Sequence, residues 1–362
     1  MNLYDTVIHE DMQYIYDHPL EWTRLSNCNV LVTGANGMIA SYLIYYFIFL
    51  NEEKNFDINI YALSRKKEKA IDRFGKYVEK PYFHIIEANV EDGVKDDIEF
   101  DYVIHAASLA SPQFYGVKPV ETMVPNVVGT YKLLEKIKNS NVKSFLFFSS
   151  GSIYGNIKGI DKIEENNIGI LNYLELGNCY GESKRCGEAI CNAYFQEYSV
   201  PTQVVRIHHT YGPNMDYKND KRVFAEFVKN AVEGNDIVMK SDGSDKRAFC
   251  YISDMITAFF YIILKGKSGE IYNVLNDEQY HSIIELANCI VNLDSNRNIK
   301  LVRQNRSEKE NYCASGVKRK IRVNCDKLKA LGWKPSVSME CGFKRTIDYI
   351  LSNNMNGDCY GK

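Results

Sequence analysis

Residues Val30 to Ala40 read VLVTGANGMIA, an apolar, β-branched run that passes through Gly34 and Gly37 into residues that favour a helix. The pattern predicts a strand, a tight phosphate loop and a helix start. Gly34 stands where the chain must turn sharply off the strand, and Gly37 where the backbone must come within contact distance of a pyrophosphate. The unpaired N–H groups of the first helical turn, around Met38 and Ile39, face such an anion, and the helix dipole favours it there. Asn36 can add a side-chain hydrogen bond that holds the turn. The bland alternative is an ordinary strand-to-helix turn, and the rest of the chain separates the two.

Working outward, runs at 58–63, 82–88 and 101–107 predict a second, third and fourth strand, with a helix over 66–74. A helix over 119–138, a strand at 144–149, a long helix over 180–198 and a sixth strand at 202–207 follow. This alternation predicts an α/β fold, a Rossmann-type doubly wound parallel sheet that takes ligands at the carboxyl ends of its strands. On this reading residues 1–27 are an acidic, aromatic-containing arm and 28–212 the dinucleotide-binding domain. Beyond Gly212 and Pro213 the elements shorten: helix 221–233, strands 236–241 and 247–252, helix 253–265, strand 270–275 and helix 280–292. They predict a smaller mixed α/β domain over 213–352, mainly for substrate binding, with 353–362 as a tail.

With 362 residues, 45% hydrophobic and 25% charged, the chain can bury a large core. A net charge of −2 offers no global field for nucleic acid or an anionic membrane, and no Lys/Arg run interleaved with aromatics acts locally. Neither partner is expected. The ten cysteines include no CxxC pair and no neighbourhood with metal-ligand spacing, so they read as reduced structural thiols and no metal is expected. The N-terminal stretch is polar and acidic where a secretory signal would be basic then apolar, and the greasiest segment, 38–50, is too short to span a bilayer. A cytoplasmic protein is the expectation.

Two Tyr-x-x-x-Lys pairs occur, Tyr154 with Lys158 and Tyr180 with Lys184. A spacing of four places both side chains on one face only within a helix. Tyr154 follows a strand and is interrupted by Gly155 and Gly159, whereas Tyr180 opens a credible helix. Tyrosine is a poor base at neutral pH, but a nearby ammonium and a positive nicotinamide favour the phenolate, so Lys184 is expected to activate Tyr180 and hold the ribose. After the second strand the acid that would accept from both ribose hydroxyls of NAD is missing. Ser64 and Arg65, with Lys66 and Lys67, stand there instead, a set suited to the 2′-phosphate of NADP.

TGANGMIA resembles the TGxxGxxG fingerprint of extended short-chain dehydrogenase/reductases, the nucleotide-sugar epimerase, dehydratase and decarboxylase family, with Ala40 in place of the third glycine. The resemblance runs over roughly residues 28–352. It implies a tightly bound NAD or NADP, NAD being the habit of the family and NADP the preference of the Ser64-Arg65-Lys66 turn. It assigns Asn89 and Val90 to the adenine, and Ala106, Ala107, Ser108 and Asn126 to the rest of the cofactor site. Ser150, in SSGSIYG, matches the catalytic Ser/Thr that hydrogen-bonds the hydroxyl being oxidised; Ser150, Tyr180 and Lys184 are the expected catalytic set. Arg222, Arg247 and Arg322 are expected on the nucleotide and its diphosphate, as guanidinium forks suit them, with Ser111, Ser152 and His209 as further substrate contacts. Helices 119–138 and 180–198 resemble those through which such enzymes dimerise as a four-helix bundle, implying a homodimer.

The residues after Ser150 narrow the reaction. Dehydratases of the family carry an Asp-Glu pair there and UDP-glucuronate decarboxylases a Glu at the second position; this chain has Gly151 and Ser152. That pattern looks like the 4-epimerases, which need only hydride removal at C4, rotation of the keto-sugar and hydride return. HAASLASPQFYG, CYGESKR and YGPNMDYKNDKR look closer to the decarboxylases. The expectation is therefore a nucleotide-sugar 4-epimerase serving surface polysaccharide synthesis, against a decarboxylase, a 4-keto-sugar reductase or, in another class, a silent dinucleotide-sensing module.

Overall fold

Seven strands pair in parallel: β1 (Asn29–Thr33), β2 (Asn59–Ser64), β3 (Phe83–Glu87), β4 (Tyr102–His105), β5 (Ser144–Ser150), β6 (Thr202–Ile207) and β7 (Ile271–Val274). The structure, a computed structural model, describes residues 1–95, 97–293, 298–304 and 322–358; Cys313, Cys359 and the end of the tail lie outside the described residues. The strand order is β3-β2-β1-β4-β5-β6-β7. It reverses between β1 and β4, where Thr33 pairs with His105, and such a reversal opens the crevice in which doubly wound sheets take ligands.

Helix α1 (Thr6–Tyr16) precedes the sheet, and α2 (Met38–Lys54) runs from Gly37, as N-cap, to Asn55 in the left-handed conformation at φ 56°. Every residue from Ala40 to Leu50 is buried, as expected of a helix apolar on all sides. Ala40 is 2% exposed, so its methyl group is accommodated where the fingerprint has glycine. Among the described residues no helix is long and apolar enough to cross a membrane. The eight described cysteines are all free thiols.

Three expectations change. The strand placed at 270–275 in the smaller unit is β7, hydrogen-bonded to β6 from Ile271–Val204 to Val274–Ile207, because its apolar residues find a ladder at the sheet edge. The helix expected over 119–138 runs unbroken to Ile137 but carries a π turn, Pro125–Gly129, between Pro119–Val124 and Thr130–Ile137. Pro125 has no N–H to give the ladder and its ring crowds the preceding turn. The strand expected at 247–252 is two pieces, Lys246–Ala248 against Tyr280–Ser282 and Cys250–Tyr251 against Thr210–Tyr211.

The N-terminal arm is part of the core. Asp11, 3% exposed, accepts from Tyr42 Oη at 2.5 Å, Tyr251 Oη at 2.7 Å and Arg345 at 2.8 Å, tying α1 to α2 and to the C-terminal helix Met339–Asp358. The segment that the glycine fingerprint does not need thus staples the sheet's first helix to the chain's last.

Candidate active site

At the carboxyl edge of β1, Gly34 has φ +64°, and a Cβ built there would lie 2.7 Å from Ala107 Cα. Only glycine lets the Ala106–Ala107 segment after β4 come so close. Thr33 Oγ1 accepts from Ala107 N at 3.1 Å and lies 2.8 Å from His105 Nδ1. His105 Nε2 lies 3.1 Å from the Pro125 carbonyl, which can only accept, so Nε2 donates and Nδ1 takes the Thr33 proton. Burial, with the Lys184 charge second, pushes His105 down to about 3. It is a neutral strut that joins β1, β4 and the π turn.

Asn36 Nδ2 donates to Ser64 Oγ at 2.7 Å, and Ser64 Oγ donates to the Lys66 carbonyl at 2.9 Å. Ser64 is thereby committed to the turn, which leaves exposed Arg65, Lys66 and Lys67 as the cationic side chains there. Val90 is buried and Asn89 is exposed, donating to Asp92 at 2.9 Å. Asn126, in the π turn, donates to Ser183 Oγ at 3.0 Å. Asn36 Oδ1, Ser108 Oγ and Asn126 Oδ1 are buried and accept or donate no hydrogen bond among the described residues. Buried polar atoms are rarely left so. Three of them, with the close-approach glycine loop at the switch point, fit a dinucleotide.

β5 delivers Ser150, whose Oγ accepts from Ser152 N at 3.1 Å and donates to Ser152 Oγ at 3.2 Å. The long helix Cys179–Tyr198, α3, delivers Tyr180 and Lys184 one turn apart, 6% and 1% exposed. Burial pushes Tyr180 up to about 12, opposed by a hydrogen bond with Ser150 and by the Arg222 charge. The Lys184 Nζ donates to the Phe148 carbonyl at 2.5 Å and lies 5.8 Å from the Tyr180 ring centroid. Burial holds Lys184 down at about 7. Arg222, at the N-cap of helix Val223–Glu233, is set by Asp220 through Nε at 2.8 Å and one terminal nitrogen at 2.5 Å.

The other Tyr-x-x-x-Lys pair is not on a helix. Tyr154 closes a short 3-10 turn; it is buried, donates to Asn273 Oδ1 at 2.6 Å and accepts from Arg206 at 3.0 Å, while Lys158 is exposed.

Three features escaped the sequence. Tyr115 lies face to face with Tyr180, ring centroids 4.6 Å apart and planes 7° from parallel; its only signal was an aromatic pair in the loop after β4. A Cβ on Gly151 would lie 2.3 Å from His208 Cε1, so the imidazole fills the space that a side chain beside Ser150 would take. Arg206, in the buried strand TQVVRI, forms a two-pronged pair with Glu188 on α3, at 3.0 and 2.7 Å. A charge in a core strand was the signal for that pair.

The remaining expected substrate residues are spread over several elements. His209 is half-buried between the rings of Phe224 and Phe249, and the Arg222 guanidinium lies 4.6 Å from the centre of Phe224. Arg247 pairs with Asp245 at 3.2 Å on the strand opposite Tyr280, and Arg322 lies 5.4 Å over the Tyr280 ring. Ser111 is the N-cap of the short helix that carries Tyr115.

A doubly wound sheet with a glycine loop at its switch point and a buried Tyr-Lys pair defines a dinucleotide-dependent enzyme. Residues 30–274 match the NAD dependent epimerase/dehydratase family, and the chain belongs to it, among the extended short-chain dehydrogenase/reductases that work on nucleotide sugars. UDP-glucuronic acid decarboxylase 6 of Arabidopsis thaliana is 30% identical over 318 residues, 88% of this chain and 87% of that protein. The dTDP-D-glucose 4,6-dehydratase of Homo sapiens is 27% identical over 338 residues, 90% and 91% of the two. Among solved structures, UDP-glucose 4-epimerase of Thermotoga maritima with UDP-glucose superposes with a TM-score of 0.74 at 24% identity, covering 90% of this chain and 99% of that one. UDP-glucuronic acid 4-epimerase of Bacillus cereus, with UDP-glucuronic acid and NAD, gives 0.73 at 21%, covering 90% and 99%.

Proposed function

We propose that the protein is a cytoplasmic NAD(P)-dependent 4-epimerase of a nucleoside-diphosphate sugar. The observation that carries this is the composition of the site around Ser150 and Tyr180: hydroxyls and a packed imidazole where the dehydratase and decarboxylase patterns place carboxylates. Ser150 positions the C4 hydroxyl, and Tyr180 takes its proton. Lys184 would hold the nicotinamide ribose, and the Gly34–Ile39 loop, with Asn36, Ser108 and Asn126, the rest of the dinucleotide. When bound, that cofactor supplies hydride acceptance and return. Arg222 and Arg247, with Arg322, would neutralise the diphosphate, leaving the sugar free to turn between the two hydride steps.

A second reading, decarboxylation of a UDP-uronic acid, is favoured by the 30% identity to the Arabidopsis decarboxylase. Proton NMR of UDP-, GDP-, CDP- and dTDP-sugars incubated with catalytic cofactor separates the two. A C4 epimer without net change in NAD(P)H absorbance is expected. A pentose product supports the decarboxylase, a 6-deoxy-4-keto sugar refutes the carboxylate argument, and turnover only with added NADPH identifies a reductase.

The cofactor reading rests on the missing acid after β2 and on the Ser64-Arg65-Lys66 turn that stands there instead, whose exposed Arg65 and Lys66 suit a 2′-phosphate. Calorimetric titration should show NADP binding at least as well as NAD, and Arg65→Ala weakening NADP alone, by about tenfold for one lost charge-assisted contact. An NAD preference untouched by the substitution would dismiss the 2′-phosphate role.

Homodimerisation through a four-helix bundle is supported by apolar side chains left outward on the helices concerned: Val120, Met123, Val128 and Tyr131, 37–66% exposed, and Tyr198 at 41%. Light scattering should give twice the chain mass, reduced by Tyr131→Asp. A monomer at micromolar concentration would remove the proposal.

A further inference from the structure

Lys184 sits in a polar seam that runs from the active site into the protein. One helical turn further along α3, on the same buried face, is Glu188, 7% exposed against 1% for Lys184. Glu188 receives Arg206 Nε at 3.0 Å and a terminal nitrogen at 2.7 Å, from β6, and the Ser149 hydroxyl from β5. An isolated ammonium buried this deeply is costly to keep charged. The groups facing it are Tyr180, Glu188 and Cys191 on its own helix, His105 on β4, held neutral, and on β5 the Phe148 carbonyl and Phe147 ring. Cys191 is a buried thiol pushed well up by desolvation, so it carries no charge near neutrality. Glu188 is the one anion among these neighbours.

We propose that Glu188 is a positioning residue that acts through Lys184: clamped in place by Arg206 and Ser149, it supplies the counter-charge that keeps the catalytic lysine an ammonium in a dry site. Glu188 touches neither substrate nor cofactor. Glu188 stands one turn further along the same buried helix face and is held there by the Arg206 fork and the Ser149 hydroxyl, so the sheet's β5–β6 pair sets the electrostatics of a residue carried by the helix. Burial drives Lys184 down to about 7 and the Glu188 charge is the largest influence opposing it. Loss of that charge therefore moves the deprotonation of Lys184 to lower pH.

This rests on Lys184 being the lysine that holds the cofactor ribose, and the test separates the two. Lysine ε-carbon NMR on cofactor-free, isotope-labelled protein follows the buried lysine without any turnover, and fluorescence titration follows NADH and NADPH affinity without any sugar. Glu188→Gln should lower the titration of that lysine by about one unit or more, the scale of a close opposite charge. Cofactor affinity should then fall about tenfold at pH 8 and less than twofold near pH 5.5, where the ammonium survives in both proteins. Glu188→Asp should retain the parent titration. Ser149→Ala, a conservative change suited to the case in which the Gln variant does not fold, removes a donor from the carboxylate and should move the lysine upward. A loss of affinity equal at both pH values, with the lysine titration unmoved in Glu188→Gln or Ser149→Ala, would reduce the Glu188–Arg206 pair to a structural tie. A lysine that shifts as stated while affinity stays constant would leave the counter-charge intact and instead refute Lys184 as the ribose contact.

Discussion

Tyr180→Phe is expected to lower turnover by about two orders of magnitude or more, the usual scale for a lost general base, while leaving cofactor affinity and melting temperature close to those of the parent. The hydroxyl is the only group removed, and the ring keeps its stack on Tyr115. Tyr154→Phe should behave in the opposite sense. Its hydroxyl joins Asn273 to Arg206 inside the protein, so its loss costs about 1–2 kcal/mol of stability and little of the rate. Steady-state kinetics and thermal unfolding of the two variants, run side by side, decide between them. If Tyr154→Phe is the one that silences the enzyme while remaining folded, the catalytic assignment moves to the wrong side of β5.

Gly34→Ala is expected to weaken dinucleotide binding by about two orders of magnitude and to destabilise the fold by about 1–3 kcal/mol. The new methyl group would carry φ +64° into a residue that resists it and would meet Ala107 Cα at 2.7 Å, a backbone atom that cannot swing aside. Gly37→Ala is the control. Its Cβ would lie 3.2 Å from the Gly34 carbonyl oxygen, tight but open to a small shift, so a loss of tenfold or less is expected. Calorimetric titration with NAD and NADP measures both, and equal losses in the two variants would mean that the approach of Ala106 and Ala107 to this loop is not what shapes the cofactor site.

The fold was legible because the periodicities were unambiguous. VLVT, YVIH and SFLFFS are short, largely apolar runs without a helical stripe, and helical stretches separate them. What escaped depended on three-dimensional neighbours. Pro125 lies inside a convincing helical pattern, and only the packing of Asn126 against Ser183 shows why the helix tolerates a π turn there. The strand Ile271–Val274 looks the same whether it closes a large sheet or begins a small one. Asp11 is an ordinary acid in an acidic arm until Tyr42, Tyr251 and Arg345 converge on it from distant parts of the chain.

The candidate site divides along the same line. Gly34, Ser150, Tyr180 and Lys184 carry spacing and order that a sequence displays. The pairing of Gly151 with His208 does not show there, because glycine beside a catalytic serine looks like a missing carboxylate rather than room made for an imidazole from the next strand. Arg222 likewise reads as a phosphate ligand, and its second effect, opposing with Ser150 the rise that burial imposes on Tyr180, depends on three-dimensional neighbours that the sequence does not display.

The central claim is that hydride leaves C4 of the sugar and returns to C4 within one active site. UDP-glucose and UDP-glucuronate deuterated at C4, incubated with the protein and catalytic cofactor, test it by NMR and mass spectrometry of the recovered sugars. Deuterium is expected at C4 of both epimers, with none washed into a pool of unlabelled NADH or into water. Epimerisation with loss of the label to solvent would show proton abstraction instead of hydride transfer and would contradict the account, as would a labelled product that has kept its C4 configuration and lost its carboxyl carbon.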